Sequence, residues 1–169
     1  MDFELNEKLG TIVKEKDCYE ATFVRVFNQQ TDTVWQMITN PEKLKDWLAP
    51  GSIELRKGGS AKLNFGDSGI VIDSLVSAFE SGSLLEYSWS NDGEALRPIR
   101  WELTPEGSGT RLTLTLVTPL DEVIDRSCAG WEAHLMMLLA AIEGVPIKFP
   151  FEQFQKSRAE YQDMLDIAA

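Results

Sequence analysis

Apolar residues change their spacing along this chain, and each change marks a boundary. Residues 1–18 are polar and weakly patterned, which predicts a loose arm. The stretch "YEATFVRVF", residues 19–27, is rich in β-branched and aromatic side chains and reads as a strand. In "TDTVWQMIT", residues 31–39, Val34, Trp35 and Ile38 share one face of a short helix. Asn40 then stands as the cap of "PEKLKDWL", with Pro41 at the first helical position, where its missing N–H costs nothing. Leu44, Trp47 and Leu48 follow at i, i+3 and i+4, so a second short helix succeeds the first.

Between residues 51 and 118 the period falls to two. Ile53 and Leu55, then Ala61, Leu63 and Phe65, alternate with polar residues. Glycine-rich turns at Gly58–Gly59 and at residues 66–69 separate these runs. Leu85, Tyr87 and Trp89 share a face, as do Ile99, Trp101 and Leu103, and as do Leu112, Leu114 and Leu116. Six to seven short strands in this style predict an antiparallel sheet with one buried face.

Helical spacing returns afterwards. Thr118, Pro119, Leu120 and Asp121 look like a helix start, with Thr118 as cap. In "GWEAHLMMLLAAIEG", residues 130–144, Trp131, Leu135, Leu138 and Ile142 form one stripe with His134 at its edge. Ala133, Met137, Ala140 and Ala141 make a second, small-residue face, and only Glu132 and Glu143 mark a polar line. A helix this apolar needs cover on two sides, and Pro146 is expected to end it. The last helix lies in "FEQFQKSRAEYQDML", where Phe151, Phe154, Tyr161 and Leu165 offer a stripe that is expected to cover the small-residue face, on its own domain or on a symmetric partner. The chain thus divides into an N-terminal arm (1–18), a central domain (19–145) and a C-terminal helical extension (146–169).

Composition narrows the partners. A chain of 169 residues suits a single domain, and its net charge is −11 with 16 scattered basic residues. Nucleic acid and anionic membrane surfaces need clustered lysine and arginine and are therefore disfavoured. No apolar run is long enough to span a bilayer, and the acidic beginning of the chain lacks a signal peptide's apolar region. Cys18 and Cys128 are far apart, and with one histidine they form no recognisable zinc spacing. The expectation is a reduced, cytoplasmic protein with free thiols, no metal and no cofactor.

The order of strand, helix pair, antiparallel sheet and closing helix resembles the START-like (SRPBCC) helix-grip superfamily. "VRVFNQQTDTVWQMITNPEKLKDWLAP", "GSGTRLTLTL" and "GWEAHLMMLLAAIEG" are similar to the opening, last strand and closing helix of the branch named after the C-terminal domain of the activator of heat-shock protein 90 ATPase. The similarity covers about residues 19–145, which makes the final helix this chain's own addition. It implies an α+β helix-grip fold, a curved antiparallel sheet wrapped around a long C-terminal helix. It also implies an apolar cavity between the two.

Candidate lining residues for such a cavity are Trp47, Phe65, Tyr87, Trp89, Trp101, Trp131, His134, Leu135 and Leu138. Tryptophan and tyrosine join a large apolar body to one hydrogen-bonding group, which suits both a pocket wall and a packed core. His134 has no serine elbow or reactive-cysteine signature to serve, so it is expected to bond a backbone carbonyl or pack at the cavity rim. Of Arg25, Asp73, Arg100 and Glu102, which alternate with apolar neighbours, one turned inward would orient a ligand. Three readings stay open. The first is a binding module for a small hydrophobic molecule. The second is a co-chaperone-like interaction domain with a protein partner or a homodimer. The third is an enzyme of cyclase or hydrolase type, for which the chain shows no catalytic constellation.

Overall fold

The computed structural model describes residues 3–168. Eight antiparallel strands form one curved sheet in the spatial order β1-β2-β8-β7-β6-β5-β4-β3. They are β1 (Thr11–Lys14), β2 (Cys18–Phe27), β3 (Gly51–Ile53), β4 (Ser60–Asn64), β5 (Val71–Glu80), β6 (Leu84–Ser88), β7 (Pro98–Glu106) and β8 (Gly109–Pro119). Helices α1 (Thr31–Thr39) and α2 (Pro41–Trp47) link β2 to β3, α3 (Ile124–Ile142) follows the last strand, and α4 (Phe151–Ala168) ends the chain. This is the expected helix-grip architecture with one strand more than the pattern predicts.

The extra strand lies in the arm. Thr11–Lys14 pairs antiparallel with β2, and Asn6 ahead of it exchanges two hydrogen bonds with the backbone of Val26. The arm is therefore tied down rather than loose. Its strand is short and mostly exposed, so no alternation announces it, and its conformation comes from its partner.

Period-two alternation sets the buried face. Ala21 and Phe23, Leu112, Leu114 and Leu116, Ile99, Trp101 and Leu103, and Leu85 and Tyr87 all point inward and are buried. Phe65 and Trp89 pack at the edge of this core, and Leu55 is exposed. The helix pair forms as read: Asn40 accepts a hydrogen bond from the Glu42 N–H at 3.0 Å, and Leu44 and Trp47 are buried.

Helix α3 departs from expectation at both ends. Thr118 does not cap it, because β8 continues through Pro119 in register with β2; the helix starts at Ile124 without a side-chain cap. It ends before Pro146, at Ile142. Gly144 takes a left-handed φ of 82°, the Gly144 N–H bonds the Ala141 carbonyl and the Val145 N–H bonds the Ala140 carbonyl. That pair of bonds is the glycine-terminated helix stop, and it satisfies carbonyls that would otherwise be orphaned.

Helix α4 packs on its own domain, but not where the small-residue face suggests. Arg158 and Gln162 both bond Asp125, and the Tyr161 hydroxyl bonds Glu132. Glu132 precedes Ala133 by one residue, about 100° around the helix, so α4 lies over the line that reads as polar. Glu132 is buried because Arg25 of β2, turned inward by the same alternation as Phe23, forms an ion pair with it. In the α4 stripe, Tyr161 is fully buried and Phe154 and Leu165 are half-buried, whereas Phe151 is 68% exposed. Phe151 instead packs edge-on against Phe149 of the α3–α4 connection, with ring centres 4.9 Å apart.

Candidate functional site

Six aromatic side chains meet between the inner face of the sheet and α3. Trp47 of α2 packs edge-on against Trp101 of β7 at 5.8 Å, and Trp101 packs against Trp131 of α3 at 5.7 Å. Trp131 touches Trp89 at 4.8 Å, and Trp89 meets Tyr87 at 6.4 Å and Phe65 at 5.7 Å. Phe65 and Trp131 both lie against His134, at 5.9 and 6.0 Å. The residues picked out from the alternation and the helical stripe are thus one contiguous cluster, with Leu135 and Leu138 fully buried on the same side of α3. Phe149, which sequence spacing does not single out, completes it by covering His134 at 5.5 Å.

Most of the cluster is packed core. Trp47, Tyr87, Trp101, Leu135 and Leu138 are 1% exposed or less. Trp89 and Trp131 border a small, partly open void of roughly 30 Å³ whose walls also include Arg97, Ile99, Leu116, Thr118 and Glu122. That is room for about one water molecule. The side chains themselves occupy the space that the family resemblance assigns to a cavity.

Polar atoms within the cluster fall into two groups. The first group is satisfied. The Trp47 indole donates to the Met37 carbonyl at 2.7 Å, and the Trp47 carbonyl accepts from His134 Nδ1 at 3.0 Å. A carbonyl can only accept, so Nδ1 carries the ring proton. Burial, partly opposed by that bond, lowers the His134 pKa, and the ring is neutral at neutral pH. Among the described residues no hydrogen bond joins His134 to a carboxylate.

The second group has no partners. The Tyr87 hydroxyl and the Trp101 indole N–H are both buried without a hydrogen bond, as is the Thr118 hydroxyl in the wall of the small void. Tyr87 and Trp101 stand on adjacent strands, where Tyr87 opposes Ile99 and Trp101 opposes Leu85. Burial pushes the Tyr87 hydroxyl well above its ordinary pKa, and the neighbouring Trp101 N–H acts weakly against that shift without reaching hydrogen-bond geometry. A buried donor left unpaired costs about 1–3 kcal/mol, so three such atoms in one region call for an explanation.

Next to the small void, an open cleft of roughly 460 Å³ lies between the residues after β6 and the start of α3. Its walls include Trp89, Ser90, Arg97, Glu122, Arg126 and Ser127. Arg97 and Glu122 join across it in an ion pair of 2.6 Å. None of these polar residues is marked by sequence spacing, because they come together from the β6–β7 connection, the β8–α3 connection and the first turn of α3.

Cys128 is buried in α3, and its thiol is pushed up to about 12, first by burial and then by the nearby Glu132 and Asp125 charges. At neutral pH it is therefore held as the thiol and not as the thiolate. Among the described residues no cluster of three metal-ligating side chains occurs, and no helix is long and apolar enough to cross a membrane.

Comparisons with known proteins agree with this architecture. The family model described as Activator of Hsp90 ATPase homolog 1-like protein matches residues 28–143, more than half of the chain. No curated protein matches. Among solved structures, a conserved protein of unknown function from Enterococcus faecalis superposes with a TM-score of 0.77 at 20% identity, over 96% of this chain and 95% of that one. CalU16 from Micromonospora echinospora gives 0.72 at 21% identity, covering 92% and 93%. DynU16, from the dynemicin biosynthetic locus, gives 0.67 at 26% identity over 75% of this chain and 48% of its own. Coverage of 96% of this chain means that the superposition reaches into the residues after 145.

Proposed function

This chain belongs to the Activator of Hsp90 ATPase homolog 1-like family, within the START-like helix-grip superfamily, and on that premise we propose that it is a binding module for a small hydrophobic molecule. The ligand lies between the sheet and α3, against Trp89, Trp101 and Trp131. One observation carries this reading: the Tyr87 hydroxyl and the Trp101 N–H are buried as neighbours, yet neither makes a hydrogen bond of good geometry. Replacing either by an apolar group of similar shape would remove an energetic cost, and a ligand carrying an oxygen acceptor would remove it too. The ligand class is therefore lipophilic with at least one carbonyl or hydroxyl oxygen. DynU16, a structural neighbour, comes from a biosynthetic locus, a setting in which a small-molecule ligand is at home.

Binding requires the closed cluster to open. Trp89 is only half-buried and already has a void behind it, so its rotation is the least costly way to make room, in the manner of a pocket that a ligand selects from a minor conformation. The test uses N-phenyl-1-naphthylamine, a neutral apolar fluorophore. Titrated into the full chain, it is expected to quench tryptophan emission with a one-to-one end point. Probe binding shown by another method, with the tryptophan spectrum unchanged, would put the pocket elsewhere.

A further inference from the structure

We propose that the cleft between the residues following β6 and the start of α3 is the mouth of this binding site, and that it selects amphipathic ligands with an anionic head, held by Arg126. The inference rests on the reading above and adds to it a route and a charge preference. Trp89, Arg97, Glu122 and Ser127 line both the open cleft and the small void behind it. Trp89 is therefore the partition between solvent and the aromatic cluster. The unpaired Thr118 hydroxyl lies in the wall of that void.

The Arg97–Glu122 ion pair joins the two banks of the mouth. Arg97 lies after β6 and Glu122 ahead of α3, and their side chains keep 27% and 13% of their surface. A pair partly in water is weak and exchanges readily, so it serves as a latch and not as a lock. The charges of the cleft then decide the head group. Glu122 is paired with Arg97, whereas Glu94 keeps its charge in the cleft, where one carboxylate oxygen is turned back onto its own loop by the Asn91 N–H. Arg126 is exposed and forms no salt bridge among the described residues. The uncapped start of α3 adds the positive end of its dipole beside it. At a net charge of −11 the molecule as a whole repels anions, and screening confines that repulsion to roughly 10 Å. The preference for an anionic head is thus a local property of this mouth, and is read best by comparing two probes of one shape.

Such a pair exists. 1-Anilinonaphthalene-8-sulfonate and N-phenyl-1-naphthylamine share an aromatic body, and only the first carries a sulfonate. Each is titrated into the full chain and into Arg126→Gln and Arg126→Lys variants, with quenching of tryptophan emission as the readout. The expected result is that Arg126→Gln weakens the sulfonate probe about fivefold, the upper range for one exposed charge pair. The neutral probe should stay within about twofold, and Arg126→Lys should recover most of the loss. If both probes weaken alike, or neither changes, the mouth lies elsewhere while the pocket stands. If neither probe quenches the unmodified protein, the pocket reading falls and takes this inference with it.

Discussion

The two sides of α3 bury polar groups under opposite conditions. Toward α4, Glu132 bonds Arg25 through one carboxylate oxygen and Tyr161 through the other, and the Tyr161 hydroxyl in turn accepts from the Gly10 N–H at 2.7 Å. Arg25 also donates to the Val24 carbonyl at 2.8 Å. That network joins the arm, β2, α3 and α4, and its central carboxylate and hydroxyl are both engaged. Toward the sheet, Tyr87, Trp101 and Thr118 are as deeply buried, yet their polar atoms bond nothing. Burial alone therefore does not mark a binding site in this fold. A closed network fixes structure, whereas buried polar atoms left open are poised for something from outside.

The contrast breaks most visibly at Glu132. Replacing it with alanine strands the Arg25 charge in the interior, and the expected loss is about 3–5 kcal/mol, read from urea unfolding midpoints. An apolar pair, Arg25→Met with Glu132→Leu, should recover much of that loss, because the penalty belongs to the unpaired charge and not to the absence of the bridge. A loss below about 1 kcal/mol for Glu132→Ala would remove the structural half of the comparison.

His134 gives a smaller effect and sharpens the picture from the sheet side. His134→Gln should cost about 1 kcal/mol, the usual worth of one hydrogen bond. Its pKa is lowered in the folded chain, first by burial and with the Trp47 carbonyl opposing. The unfolded chain therefore takes up the proton more readily. Stability is complete above the unfolded value of about 6.5 and declines as pH falls from there toward the lower folded value. Thermal melts between pH 7 and 5 should show a shallower acid decline for His134→Gln than for the unmodified chain. Identical acid limbs would assign that decline to other groups.

Much of this was legible in the chain, and the rest was hidden for identifiable reasons. The α1–α2 pair and its Asn40–Pro41 junction are local events, dictated by capping and by spacing within one helical turn. The inward set of the sheet follows from strict alternation, which turns Tyr87 and Trp101 toward the helical stripe that carries Trp131 on α3. Glu132 reads as solvent-facing because its reason for burial, Arg25, is 107 residues away. The strand at Thr11–Lys14 is set by pairing with β2, and Thr118 is drawn into β8 by Tyr19 opposite it. Phe151 obeys the helical stripe, but it falls at the first residue of α4, where the connection lets it turn to Phe149. Long-range pairing leaves no local signature, and the mouth of the site is made of such pairings.

One substitution tests the central claim most directly. Tyr87→Phe removes a single oxygen that bonds nothing in the closed protein. The variant should be more stable than the parent by about 1 kcal/mol, a rise of roughly 2–4 °C in melting temperature for a chain of this size. It should also bind an oxygen-bearing probe such as 6-acyl-2-dimethylaminonaphthalene more weakly, by about tenfold. Higher stability together with weaker binding is the predicted result. A variant that loses stability, or that gains it while binding the probe as tightly as before, would contradict the assignment of this buried pair to a ligand.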